Sequence, residues 1–408
     1  MKIHVLKLAD PKYRDNPWRE FGALRESGEI IRIKMPFLGK SWAVTSYDAV
    51  NDVLKNSEDF VRDPKNAGRK NFIPMQWILP RSFYSVVNNM LGADGQKHRR
   101  LRLLVDRAFA LRNIDAMSEQ IEEIVTEQLQ HFDAKLKTDG QADLMEHFAR
   151  PFPLTVICEL LGLPLEDRPK FKQWFAPFST VRSIFGIYKF GTGIHRIVKY
   201  LKQQFEDVRN SPGFGLISDL VQLEMEGERL SEDELVSMVF LLLVAGHETT
   251  VHLISNLVLS LLQNQKPRQE LLGDWELMDG AIEETLRYST PIQFAKPRYV
   301  ARDIEYLGVE LKRGEMVVPL LACANYDPVR FDKPTEFIIQ REKNYHMTFG
   351  SGPHVCLGMK LARAETKHAI QKLFDAYPDL QPAFDLRKPD WSKRIGVRGL
   401  NSLLLTAN

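Results

Sequence analysis

Residues 231–262 constrain this chain more than any other stretch. SEDE (231–234) has the form of a capping box, in which Ser and the Glu three residues on satisfy each other's backbone N–H groups at a helix start. The run that follows, LVSMVFLLLVAGHETTVHLISNLVLSLL, reaches Leu262 without a proline. About 30 helical residues extend on the order of 45 Å, enough to cross a whole domain. A helix that is apolar nearly all round is buried rather than surface-lying. The rest of the chain then has to wrap it, which predicts a mainly α fold. His247, Glu248, Thr249 and Thr250 interrupt the middle and argue against a membrane span.

Unpartnered polar groups inside such a helix cost about 1–3 kcal/mol each, and more when charged. AGHETT (245–250) therefore needs a reason. Ala245 and Gly246 carry almost no side chain, so a bulky group can approach there. Thr249 can hydrogen-bond to the carbonyl of Ala245 one turn back and loosen the helix, and Glu248 adds a titratable carboxyl beside it. A kinked helix with a satisfied Thr and a Glu reaching solvent accounts for the same residues.

The second marked stretch is FGSGPHVCLG (349–358). It reads as a glycine-hinged loop that delivers Cys356 to the first turn of a helix, since MKLARAETKHAIQKLF places Leu361, Ala364, Ala369, Ile370, Leu373 and Phe374 near helical spacing. A helix N-terminus favours negative charge and lowers a thiol's pKa, which predisposes Cys356 to be a thiolate. Gly350, Gly352 and Gly358 let backbone lie close against a flat ligand. The bland reading is a structural cysteine beside a turn.

Between these stretches the pattern is mostly helical. EIIRIKM (29–35) and SWAVTSY (41–47) read as a hairpin around PFLGK, and Ser46 as the cap of a helix carrying Ala49, Val50, Val53 and Leu54. Residues 63–89 lose all periodicity, as long functional loops do. Helices are expected at QKHRRLRLLVDRAFA, at 113–136, at 151–164 with Gly162 ending it, and around Ile194–Phe205. No repeat or Gly/Ser linker divides the 408 residues, so 1–408 reads as one unit, mainly α with a small sheet near its N-terminal side.

Charge is balanced, with 55 basic and 53 acidic residues, which leaves no global field for nucleic acid or a membrane surface. Cys158, Cys323 and Cys356 are odd in number and contain no C-x-x-C pair, against a disulfide framework. The N-terminus has no signal-peptide h-region. A cytoplasmic, unanchored protein is the expectation.

Three pieces together, FGSGPHVCLG, the long helix with AGHET, and AIEETLRYSTPIQFAKPR (281–298), resemble the cytochrome P-450 family in its soluble bacterial form. The E-x-x-R signature alone is weak, because it occurs five times, from Glu29, Glu206, Glu226, Glu284 and Glu310. Position after the long helix and before Cys356 singles out Glu284 and Arg287, whose i,i+3 spacing suits a charge-assisted structural network.

The resemblance implies a cytochrome P-450 fold, with its long central helix crossing haem b, and a dioxygen-using monooxygenase. Cys356 would be the axial thiolate, Phe349 would pack beside it, and His98, Arg102, Arg298 and His354 would meet the propionates. Pro353 departs from a family position that often carries Arg. Glu248 and Thr249 fall on an acid–alcohol pair that relays protons during dioxygen activation, and His247 would serve in packing. An intact pair favours dioxygen use over a peroxide-driven peroxygenase, and over a non-catalytic haem sensor or carrier. A zinc site of His346, His354 and Cys356 would lack a fourth ligand at ordinary spacing.

The implied substrate is a hydrophobic small molecule walled by the 72–90 loop, the 171–190 aromatics, Leu242, Ala245, Thr249, Ile292, Phe294 and Val397. Electrons would come from a separate ferredoxin or flavodoxin and its reductase. That carrier would dock on a basic patch drawn from Arg99, Arg100, Arg341, Lys343 and Lys360. The protein is expected to act as a monomer.

Overall fold

The computed structural model describes residues 3–8, 10–35, 39–69, 86, 89–112, 117–175, 184–225 and 230–407. The chain divides into two compact units. One comprises Met1–Lys70, Ile121–Phe152 and Thr249–Asn408, and the other Asn71–Gln120 and Pro153–Glu248.

The first unit holds the sheet. Its strands are β1 (Ile3–Val5), β2 (Ile30–Met35), β3 (Gly39–Val44), β4 (Phe60–Val61), β5 (Ala142–Asp143), β6 (Arg298–Val300), β7 (Ile304–Tyr306), β8 (Val309–Leu311), β9 (Met316–Pro319), β10 (Gln381–Pro382) and β11 (Leu404–Thr406). Six of them form one mixed sheet in the order β1-β2-β3-β9-β6-β4. β2 and β3 pair antiparallel with Ile30 opposite Val44 and Met35 opposite Gly39, the hairpin expected from sequence. Residues 36–38 at its tip lie outside the described residues.

Period-2 alternation splits these strands between two cores. Ile30, Trp42, Val44 and Val317 pack with Val50, Val53 and Leu54 of the helix Tyr47–Lys55. Ile31, Ile33, Met35, Ala43 and Val318 pack with Phe21, Leu24 and Cys323 on the other face. That helix starts where Ser46 accepts a hydrogen bond from the Ala49 N–H at 3.3 Å, as its sequence predicted.

In the second unit, helices Gly95–Leu111 and Leu216–Met225 are tied by Arg112, whose guanidinium grips Asp219 at 2.6 and 2.7 Å. Gly162 ends the apolar helix Pro151–Leu161, and its Cα lies so close to the Phe214–Gly215 backbone that a Cβ would sit 2.1 Å from the Phe214 oxygen.

The long helix runs Glu232–Gln263, 32 residues. Its capping box is formed on both sides: Glu234 N–H donates to Ser231 Oγ at 3.2 Å, and Ser231 N–H donates to Glu234 Oε2 at 3.1 Å. The helix is long and apolar enough to span a membrane, but 61% of its most apolar window is buried against protein.

Candidate functional site

The polar interruption of the long helix coincides with a break in its burial. Leu242, Leu243, Thr250 and Val251 are buried, whereas Ala245 is exposed and Gly246, His247, Glu248 and Thr249 are half-buried. Behind the small residues the helix is tightly backed, for a Cβ on Gly246 would come within 3.1 Å of Ile157.

The cysteine loop is built on the helix Tyr47–Lys55. Ser351 Oγ donates to Asn51 Oδ1 at 2.8 Å. Gly352 has φ +71°, and a Cβ there would lie 2.7 Å from the Leu54 oxygen and 2.9 Å from the Lys55 Cα, so no other residue fits. Arg298, only 2% exposed at the start of β6, donates to the same Leu54 carbonyl at 3.3 Å. Gly350 N–H donates to the Met347 carbonyl and Cys356 N–H to the Phe349 carbonyl, each at 2.8 Å, which folds the loop back on itself. His354 sits in the short helical turn Gly352–His354, and Pro353 is exposed.

The following helix starts at Met359, capped by Gly358, so Cys356 precedes the first turn instead of lying in it. The cause is local: Val355 and Cys356 continue the loop, and the chain turns only at Leu357–Gly358. Its buried face contains Leu361, Ala369, Ile370, Leu373 and Phe374 as expected, but also Glu365 and Thr366, which periodicity of apolar residues could not show. Burial alone pushes the Glu365 carboxyl well above its usual range.

Glu284 and Arg287, both fully buried, form a two-point ion pair at 2.7 and 2.9 Å. Arg287 also donates to the carbonyls of Asn325, Pro334 and Glu336. Glu284 accepts from Arg341, Asn344 and the Ile338 N–H. Every part of this pair is therefore met by a partner, which offsets the cost of burying two charges. Arg341 is consequently drawn in, with its side chain 8% exposed, and drops out of the expected surface patch. Arg100 pairs with Glu234. Lys343 and Lys360 are exposed, as is Arg99.

Of the remaining expected residues, His98 is buried on the helix Gly95–Leu111, and Arg102 one turn later is half-buried with Nε on both oxygens of Asp106 at 3.0 and 3.1 Å. Ile292 and Val397 face each other in an isolated antiparallel bridge. Phe294 packs over Gly396, where a Cβ would meet the ring at 2.2 Å. Those three pocket residues are thus brought together, while Leu242 is buried. The 72–90 stretch, apart from Val86, Asn89 and Met90, and residues 176–183 lie outside the described residues.

Two features suit a haem. Cys356 is a half-buried thiol, in contrast to Cys158 and the fully buried Cys323, whose thiol burial holds far above its usual range. Among the described residues no cluster of three His, Cys, Asp or Glu side chains could hold a bare metal ion. A single soft donor on a glycine loop matches a metal that arrives with its equatorial ligands already in place. The stripe of small and polar residues on the long helix is open at Ala245, as a flat bulky group requires.

The family model for cytochrome P450 matches residues 2–272 and 260–382. The chain belongs to the cytochrome P450 family. It is 36% identical over 396 residues to the polyketide biosynthesis cytochrome P450 PksS of Bacillus subtilis (strain 168), covering 96% of each chain. It is also 36% identical over 392 residues to the cytochrome P450 monooxygenase PikC of Streptomyces venezuelae, covering 95% of this chain and 90% of that one. The solved structure of the myxobacterial cytochrome P450 CYP267B1 in complex with myristic acid overlays with a TM-score of 0.89 at 34% identity, covering 98% of both chains. This P450 therefore has the fold its sequence predicted, and it is a monooxygenase that oxidises small organic molecules with haem b on a cysteine thiolate.

Proposed function

We propose that Cys356 is the thiolate ligand of that haem and that the whole of 1–408 acts as one catalytic domain. The observation that carries this reading is the Cys356 loop, a half-buried sulfur on backbone pinned by Gly352 and closed by the Cys356 N–H bond to Phe349. The haem iron, when bound, supplies dioxygen activation and oxygen insertion, and its thiolate favours O–O cleavage over simple oxygen carriage. Phe349 shields the sulfur from water. Arg298, His98, Arg102 and His354 offer cations and donors to the two propionates. Thr249 holds a proton donor on the substrate side of the long helix, and Glu248 passes protons to it from solvent.

The substrate is an apolar small molecule held by shape, bounded by Leu242, Ala245, Ile292, Phe294 and Val397. A relative named for polyketide biosynthesis, another named as a vitamin D(3) 25-hydroxylase and a neighbour holding myristic acid support an apolar substrate class without selecting one skeleton. Electrons come from a separate ferredoxin or flavodoxin with its reductase. Lys343 and Lys360, exposed before and after the cysteine in sequence, offer an acidic carrier a basic contact. Three thiols outside any disulfide support a reducing, cytoplasmic setting.

The test is the absorption spectrum of the reduced, carbon-monoxide-bound protein. A thiolate-type band is expected in the wild type and absent in Cys356→Ala. A preparation that takes up no haem, or a spectrum untouched by that substitution, overturns the assignment.

A further inference from the structure

A second charged cluster lies beside the cysteine loop, and no role above absorbs it. Glu283, adjacent to the buried Glu284, turns the other way. Its carboxylate takes both Nε and an Nη of Arg363 at 2.7 and 2.9 Å. The same carboxylate lies 3.2 Å from His346 Nε2. His346 Nδ1 accepts the Thr348 N–H at 3.2 Å, so the ring proton resides on Nε2 and is donated to Glu283. The tautomer is thereby set by backbone.

Both partners of Glu283 then close on one ring. The Arg363 guanidinium lies 4.7 Å from the Phe349 centroid, and the His346 ring lies 5.5 Å from it at 52°. Phe349 is the residue whose carbonyl accepts the Cys356 N–H. The hydrogen bonds to Glu283 above all hold the Arg363 guanidinium firmly protonated, and Cys356 lies near enough to add to the effect.

We infer that Glu283 is a positioning residue that clamps Arg363 and His346 about Phe349 and balances the Arg363 charge felt by the Cys356 sulfur, thereby setting the reduction potential of the haem. This rests on Cys356 being the ligand. The physical argument is electrostatic. A cation near the sulfur draws electron density from the thiolate and favours the reduced metal, and a carboxylate paired with that cation cancels most of its field. In a half-buried setting screening by water is incomplete, so the balance is felt at the metal.

The experiment is a spectroelectrochemical titration of the purified holoprotein as wild type, Glu283→Gln, Arg363→Gln and the double variant. Glu283→Gln should move the midpoint potential upward, because Arg363 is left uncompensated. Arg363→Gln should move it downward, and the double variant should return toward wild type. Unmoved single variants, or two shifts of the same sign, overturn the inference, since a purely structural clamp would not produce opposite shifts. Should Glu283→Gln yield no folded holoprotein, Arg363→Gln decides alone, and a potential equal to wild type sinks the idea. Failure of the parent assignment is separate, because a wild type without the thiolate band in its reduced carbon monoxide spectrum would show it first.

Discussion

His252 of the long helix lies against the backbone of Gly399, so close that a Cβ on Gly399 would fall 2.0 Å from Nδ1 and 2.3 Å from Cγ. The imidazole fills the space a side chain would need. The same C-terminal segment is held from both sides, with Asn256 Nδ2 on the Arg398 carbonyl at 3.0 Å and Arg398 N–H on the Pro291 carbonyl at 2.9 Å. The wall carrying Val397 is thus fixed to the helix one turn beyond Thr249. Gly399→Ala is expected to lower stability by about 1–3 kcal/mol through overpacking, and to weaken binding of apolar ligands. Chemical denaturation and the ligand-induced spin-state shift measure the two effects. Full stability in Gly399→Ala would mean that His252 can swing aside at no cost.

The Glu284 network makes a sharper demand. Glu284→Gln leaves two guanidinium groups, Arg287 and Arg341, with an uncharged partner in a fully buried setting. A loss on the order of 3–5 kcal/mol is expected. Such a variant should accumulate poorly and retain little haem after gel filtration, which the haem-to-protein absorbance ratio reports.

Burial of Glu283 on its own would raise its pKa, yet the bonds from Arg363 and His346 outweigh burial and hold it at about 2. A folded pKa depressed below the ordinary value of 4.5 stabilises the protein above that value, and the gain is lost as pH falls toward 2. At about 1.4 kcal/mol per unit, the gain is on the order of 3 kcal/mol. Urea midpoints of wild type and Glu283→Gln should therefore converge between pH 4.5 and 2. Parallel curves over that window would count against the ion pair.

Glu365 has the opposite sign. Raised by burial alone, its carboxyl holds its proton more tightly in the folded protein than in the unfolded chain. Stability that is complete below the ordinary value of 4.5 is lost as pH rises toward the folded pKa. Glu365→Gln keeps the shape without the titration, so its Tm should exceed that of wild type by an amount that grows as pH rises above the ordinary carboxyl value of 4.5. A constant difference would show that Glu365 is ionised inside the fold.

Thr249→Ala should leave substrate binding intact but uncouple electron consumption from product, releasing peroxide. NADPH oxidised per product formed, with peroxide assayed alongside, measures this. Unaltered coupling would remove Thr249 from the relay.

Local signals in the sequence were read well. The capping box, the Ser46 cap and the hairpin each depend on a few neighbouring residues, and each formed as expected; of the loop glycines, Gly350 and Gly352 take the left-handed backbone and Gly358 does not. Less legible were relations that need two distant segments. Arg341 looks like a surface cation until Glu284 is known to reach it. Glu283 looks like a mere neighbour of the E-x-x-R glutamate until His346 and Arg363 arrive from before and after the cysteine. Glu365 sits on a helix face whose polar heptad slots look solvated in one dimension. Even at Cys356 the sequence marks the helix but not where Leu357–Gly358 turn, so the sulfur lies just ahead of the first turn.

The platform beneath the cysteine loop has a consequence for biogenesis. Ser351 rests on Asn51 across 300 residues of sequence, and Gly352 rests on Leu54 and Lys55. A ribosome releases the helix Tyr47–Lys55 long before it releases the loop. Contacts of such high sequence separation close late and slowly. The loop around Cys356 therefore takes its shape only against a helix made 300 residues earlier, so that helix has to fold and stay accessible until the loop arrives.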